Sequence, residues 1–266
     1  MLEYATYELM LKANHYLIQG GVLTETHKST ITNRLLSAKS TPIQAARRFP
    51  RIKGNERNMY PFLYVLPYNG GEKLNTIFNQ RPKTQILSMN NYELEVIRLL
   101  YLFMSGNPDI RDMVDSVLDR LKKTCFGNHG CGTGECFDAG LVTLRFLSAT
   151  NPTGEAWISS LIHSYNDNIE KKRQTKYYNM WYYWLCLSEL TYAIAAPEII
   201  KNKDNMLSLA KDGMVMNTKE NKHFNPIRMF VLRNCISRLP EYADFSSRLP
   251  YINKSNRICL DENMTL

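Results

Sequence analysis

The sequence predicts an all-α protein built from paired helices, and three observations lead there. Prolines at 108, 152, 197 and 240 stand 44, 45 and 43 residues apart, each after an apolar stretch of helical spacing. With these prolines aligned, the apolar columns agree. Ile97, Leu141, Cys186 and Met229 stand eleven residues before them, and Phe103, Leu147, Tyr192 and Cys235 five before. The column eight before holds Leu100, Leu144 and Leu232, with Glu189 breaking the apolar rule as Tyr192 does in its own column. The prolines at 108, 152 and 197 also open more amphipathic stretches. That suits proline in a first helical turn, where its missing N–H has no partner to lose. An apolar inner helix, a proline turn and an amphipathic outer helix, repeated at this period, correspond to a helical-hairpin repeat of the α-solenoid or α/α-toroid-like kind.

Residues 1–37 read as an N-terminal helical hairpin. Leu9, Met10, Ala13, Tyr16 and Leu17 fall on one helical face. Gly20-Gly21 ends that helix, because glycine accepts the left-handed conformation past a C-terminus. Thr24 is placed to cap a second helix, with Glu25 favoured by its dipole and Ile31, Leu35 and Leu36 facing inward.

Residues 38–90 read as a basic, irregular arm. Pro42, Pro50, Pro61, Pro67 and Pro82 interrupt any long helix. Lys39, Arg47, Arg48, Arg51, Lys53 and Arg57 face only Glu56 across 38–60. Asn69-Gly70 favours a tight turn, which predicts a β-hairpin between 62–68 and 73–78, held to a sheet edge by Pro67.

The repeat occupies 91–240, with inner helices over 92–104, 135–148, 178–195 and 226–238 and outer helices over 108–123, 152–171 and 197–212. Glu93 and Glu95 fall at the start of the first inner helix and suit its dipole. Asn225-Pro226 reads as a plain helix start. Residues 241–266 read as a C-terminal cap and tail.

The chain carries 33 Lys+Arg against 25 Asp+Glu, a formal net charge of +8. That balance favours an anionic partner, nucleic acid first, although a solvated basic surface explains it equally well. Met1-Leu2-Glu3-Tyr4 lacks the basic and apolar regions of a signal peptide, and no apolar run reaches the ~20 residues that span a bilayer. A cytoplasmic location without membrane contact is the expectation. There the six cysteines serve as thiols or metal ligands rather than disulfides.

Stacked hairpins bring every link from an outer helix to the next inner helix to one end. These links, over 81–91, 125–134, 171–178 and 217–225, are long and polar, and binding usually resides in such loops. Lys171, Lys172, Arg173 and Lys176 run into Tyr178, a pairing of cations with an aromatic ring that suits phosphate contact plus base stacking. The competing reading makes the aromatic run inner-helix core. Anion binding is therefore expected at Arg47, Arg48, Arg51, Lys53, Lys171, Lys172, Arg173, Lys176 and Tyr178.

The link at 125–134 concentrates unusual chemistry. Cys125, His129, Cys131 and Cys136 follow C-x3-H-x-C-x4-C, a ligand set of three thiolates and an imidazole that matches tetrahedral zinc. The loop lacks the paired C-x2-C units of familiar structural sites. A second reading makes Cys136 a nucleophile whose thiol pKa is lowered by a helix N-terminus, with His129 as base and Glu135 as orienting or acid group. A third treats the stretch as a tight structural loop, its glycines at 127, 130, 132 and 134 allowing close packing. Taken together, the sequence points to a binding or scaffold protein for an anionic partner. An enzyme centred on Cys136, with or without zinc, and a protein–protein adaptor are the alternatives.

Overall fold

Helix follows helix along the chain in the computed structural model, which describes residues 2–48, 52, 54–65, 73–151, 154–173 and 179–260. The protein is mostly helical, as its sequence predicts. Its contacts divide it into two units, Met1–Asn14 with Val22–Asn179, and His15–Gly21 with Met180–Leu266.

Helices α1 (Leu2–Ile18) and α2 (Glu25–Ser37) flank Gly20, whose φ of 89° is the turn that glycine permits. Thr24 caps α2 as expected, accepting the His27 N–H at 3.2 Å. The arm is more regular than its prolines suggest. Helix α3 (Pro42–Arg48) carries proline at its first position. Thr41 and Gln44 close a capping box around its start: Thr41 N–H donates to Gln44 Oε1 at 2.7 Å, and Gln44 N–H to Thr41 Oγ1 at 3.2 Å. A 3-10 turn follows at Gly54–Met59.

The expected β-hairpin does not form among the described residues, where 62–65 and 73–78 are bends, turns and coil. The centre of the hairpin, 66–72, lies outside them. The physical reason is where the backbone donors go. Phe62, Leu63 and Tyr64 all give their N–H groups to one carboxylate oxygen of Glu93, at 3.0, 2.7 and 3.0 Å. Val65 N–H goes to Ser40 Oγ at 2.9 Å and Leu74 N–H to Ser88 Oγ at 2.8 Å. Side chains of α4 and of Ser40 satisfy the donors that a ladder would have used.

Helix α4 (Gln85–Met104) begins a full two turns earlier than expected, capped by Thr84. Glu93 and Glu95 therefore stand in mid-helix, wholly buried, not at a dipole end. Each is matched by a buried arginine: Arg120 reaches Glu93 at 2.9 Å and Arg145 reaches Glu95 at 2.8 Å. Helix α5 (Pro108–Leu121) starts on the predicted proline, with Asn107 capping Asp109 N–H at 2.8 Å. It buries Ile110, Met113, Val114, Val117 and Leu121 along one stripe. A short turn α6 (Cys125–Asn128) and the inner helix α7 (Cys136–Thr150) follow, then α8 (Glu155–Arg173). Within this unit α7 packs on α4, and α5 and α8 pack on α4 and α7 respectively.

In the second unit, α9 (Met180–Glu189) and α10 (Tyr192–Asp212) pack on each other and on α11 (Lys219–Ile236). The third expected inner helix breaks at Leu190-Thr191, so Pro197 lies inside α10 instead of opening it. Pro197 is exposed, so its ring projects from the helix without displacing packed neighbours. Pro226 likewise lies inside α11, which Thr218 starts by accepting Asn221 N–H at 3.1 Å. Pro240 opens a 3-10 segment, Pro240–Ser247. The C-terminal segment forms a small antiparallel sheet with residues 214–215, which the sequence reading missed. Strands β1 (Met214–Val215), β2 (Pro250–Ile252) and β3 (Arg257–Leu260) run in the order β1-β3-β2 and pack on α10 and α11. Among the described residues, no helix is long and apolar enough to cross a membrane.

Candidate metal centre at the cysteine loop

The loop between α5 and α7 is built by local caps and by one side of α8. Thr124 Oγ1 accepts Gly127 N–H at 3.0 Å and donates to Leu121 O at 2.8 Å, so Cys125 sits at the start of α6. Trp157 Nε1 donates to Gly127 O at 2.7 Å, Tyr165 hydroxyl to Phe126 O at 3.3 Å, and Asn168 Nδ2 to Gly130 O at 3.1 Å. Three α8 side chains thus hold three loop carbonyls, those of Phe126, Gly127 and Gly130. Gly130, at φ 58°, lies against Ser164 so closely that a Cβ would stand 2.7 Å from that side chain. This sharp left-handed turn brings Cys131 back under Cys125, whose carbonyl accepts Cys131 N–H at 3.3 Å.

The result is a cluster of three thiols. The sulfur atoms of Cys125, Cys131 and Cys136 lie within 4.8 Å of one another, and all three residues are half-buried. Cys125 Sγ and Cys136 Sγ are 3.8 Å apart. Among the described residues this is where potential metal ligands gather in a group of three.

His129 does not join them. It is exposed, with its ring nitrogen Nε2 at 3.3 Å from Asn128 Nδ2. The helical turn of α6 directs residue 129 outward while the Gly130 turn folds 131 inward.

The three thiols differ in acidity. Burial pushes Cys136 up to about 12, and the neighbouring sulfurs of Cys125 and Cys131 add to it. Burial, followed by the charge of Cys131, also raises Cys125. At Cys131, burial opposes ionisation but is outweighed by the N–H and hydroxyl of Thr133 and by the two other thiols, all of which favour the thiolate. Its pKa falls below the ordinary thiol value. Cys136 does open α7 as the sequence predicts, yet its thiol moves opposite to the direction a helix-activated nucleophile requires.

Glu135 has a different task from the one expected. It occupies the N-cap position of α7 but makes no cap with its side chain. Its carboxylate instead accepts the N–H groups of Lys83 and of Thr84, the latter at 2.5 Å. Three residues on, Asp138 accepts Gln80 Nε2 at 3.2 Å, and Gln80 Oε1 accepts Asn179 Nδ2 at 2.5 Å. Residues 80–84, the start of α7 and Asn179 therefore meet beside the thiols.

The expected anion-binding residues fare unevenly. Arg48 is 9% exposed and donates to Gln85 Oε1 at 3.4 Å, which ties α3 to the start of α4. Arg47 lies in α3, and Lys171, Lys172 and Arg173 lie in the last turn of α8 instead of in a link. Arg51, Lys53, Lys176 and Tyr178 lie outside the described residues. The aromatic run after Tyr178 is core, as the competing reading held: Tyr182, Tyr183 and Trp184 are buried.

Thr133 and the α8 trio were missed. Thr133 carried a legible signal, a hydroxyl residue two positions after a cysteine in a glycine-rich turn. Comparison with models of protein families, with characterised proteins and with solved structures finds no match.

Proposed function

We propose that this chain is a helical scaffold protein holding a thiophilic metal ion, zinc first, through Cys125, Cys131 and Cys136. The observation that carries this reading is the sulfur spacing: 3.8 Å between Cys125 and Cys136, with all three atoms within 4.8 Å. With zinc–sulfur bonds of about 2.3 Å, tetrahedral zinc holds its sulfurs about 3.8 Å apart. The alternation of inner and outer helices supports a repeat scaffold, and the meeting of residues 80–84, 135–138 and Asn179 beside the thiols supports a binding face there. The net charge of +8 makes an anionic macromolecule, nucleic acid first, the partner for that face.

Titration of the chelator-stripped protein with Co(II) tests the metal. Thiolate-to-metal absorption that saturates at one equivalent, and weakens in each single Cys→Ser variant, is the expected outcome. Absence of that absorption, together with metal-free protein as purified, sinks the reading. The partner is tested separately by nucleic-acid binding across a salt series, where affinity must fall as salt rises.

Three protein ligands leave a fourth position for water or an incoming group, which is how catalytic zinc sites are arranged. That favours a zinc-dependent enzyme as the second reading, ahead of a Cys136 nucleophile.

A further inference from the structure

The second unit contains a cavity of about 700 Å³ between α11 and the three-stranded sheet. Packed interiors leave few voids larger than a water molecule, and ligand pockets span roughly 300–1,000 Å³. Met216, Pro226, Phe230, Leu249 and Ile258 make apolar walls. Tyr251 and Ile252 stand at its edge, 42% and 58% exposed. Among the described residues lining it, Lys222 is the charged one, and Asn256 adds an amide. Lys222 sits in the first turns of α11, at the helix's positive end.

The walls are fixed before any ligand arrives. Asn221 Nδ2 and Asn225 Nδ2 both donate to Val215 O, at 2.9 and 3.0 Å, tying the start of α11 to β1. Met216 N–H donates to Asn256 O at 3.1 Å, tying β1 to the turn between β2 and β3. Arg257 Nη2 donates to Gly213 O at 2.6 Å. Gly213, at φ 69°, lets this corner close, since a Cβ there would stand 2.5 Å from Cys259 Sγ and from Ile258 O. A cavity whose borders are held by hydrogen bonds keeps its shape at low entropic cost to a ligand.

We infer that this cavity binds a small amphipathic anion, an aliphatic body with a single carboxylate. The apolar walls take the body. Lys222, the charged side chain among the described lining residues, takes the head. The inference is independent of the metal at the cysteine loop.

Calorimetric titration with dodecanoate below its micelle threshold tests it, with dodecanol as the neutral counterpart. One dodecanoate per chain is expected, bound about tenfold more tightly than dodecanol, as one charge-assisted contact provides. Lys222→Gln should remove that tenfold difference by weakening dodecanoate alone. Ile252→Asp, at an exposed position, should weaken both. Circular dichroism confirms that both variants fold. Equal affinity for the two probes, or a Lys222→Gln variant that binds dodecanoate unchanged, overturns the assignment of the head. Indifference of both probes to Ile252→Asp overturns the cavity as the site. Absence of dodecanoate binding by the full chain also overturns it.

Discussion

Glu93 and Arg120 meet at 2.9 Å with their side chains 0% and 4% exposed, on helices 27 positions apart in sequence. The other carboxylate oxygen of Glu93 takes the three amides of Phe62, Leu63 and Tyr64. One side chain thus neutralises a buried cation and sets the course of the arm. Arg120 in turn donates to Asn58 O at 3.1 Å and to Asn90 Oδ1 at 2.9 Å.

Removing the charge at Glu93 leaves Arg120 unpaired in the core, and breaking a buried pair costs about 3–5 kcal/mol. Glu93→Gln is expected to lower unfolding stability by that amount in urea. Amide exchange of residues 62–64 should quicken beyond the global change. Unaltered protection there would show that the arm is held by something else.

Gly140 faces Tyr165 across the contact of α7 with α8, and a Cβ at that position would collide with the tyrosine ring and hydroxyl. Tyr165 is wholly buried and stacks edge-on with Phe137 at 5.6 Å, so it has nowhere to move. Gly140→Ala should destabilise by about 1–3 kcal/mol despite alanine's better helix propensity. Because Tyr165 also holds Phe126 O, the variant should bind Co(II) more weakly if the loop is the metal centre.

Tyr7 donates its hydroxyl to Asn75 O at 2.9 Å, and burial raises its pKa to about 12. Above the ordinary tyrosine value near 10, the unfolded chain loses this proton first. Stability from Tyr7 is therefore fully present below pH 10 and drains away as pH rises toward 12. Cys136 and Tyr64 are raised as well, so Tyr7→Phe should flatten the alkaline slope of a denaturation series without abolishing it. At neutral pH the same variant should cost about 1 kcal/mol for the lost hydrogen bond.

The thiols should react in a fixed order. In metal-free protein, iodoacetamide at neutral pH is expected to modify Cys131 before Cys125, and Cys136 last, following the acidities set by Thr133 and by burial. Peptide mass spectrometry reads the order directly. Zinc at one equivalent should protect all three. A hundredfold excess over its dissociation constant should add about 2.7 kcal/mol to stability.

Much of the scaffold was legible because its signals are local. Thr24, Pro108 and the apolar columns of α4 and α7 each announce themselves within one or two turns. Thr41, Thr84 and Thr218 offered the same capping signal for α3, α4 and α11, yet the nearby prolines obscured it. What could not be read were partners distant in sequence. Nothing adjacent to Glu95 indicates Arg145, and nothing adjacent to Phe62 indicates Glu93. The cysteine loop lay between these cases. Its thiols were visible as a group, but the turn at Gly130 and the three α8 donors decided that 131 goes in and 129 stays out.

Asn14 accepts Arg145 Nη1 at 2.9 Å across 131 positions of chain, and Arg98 Nη1 at 3.3 Å across 84. During synthesis, α1 leaves the ribosome long before either guanidinium exists. Glu95 in turn waits 50 residues for Arg145. A nascent chain shorter than 145 residues therefore holds an acid, Glu95, without the buried cation that pairs with it. At elongation rates of about 5–20 residues per second, that interval lasts seconds, during which α4 cannot bury Glu95 as an ion pair.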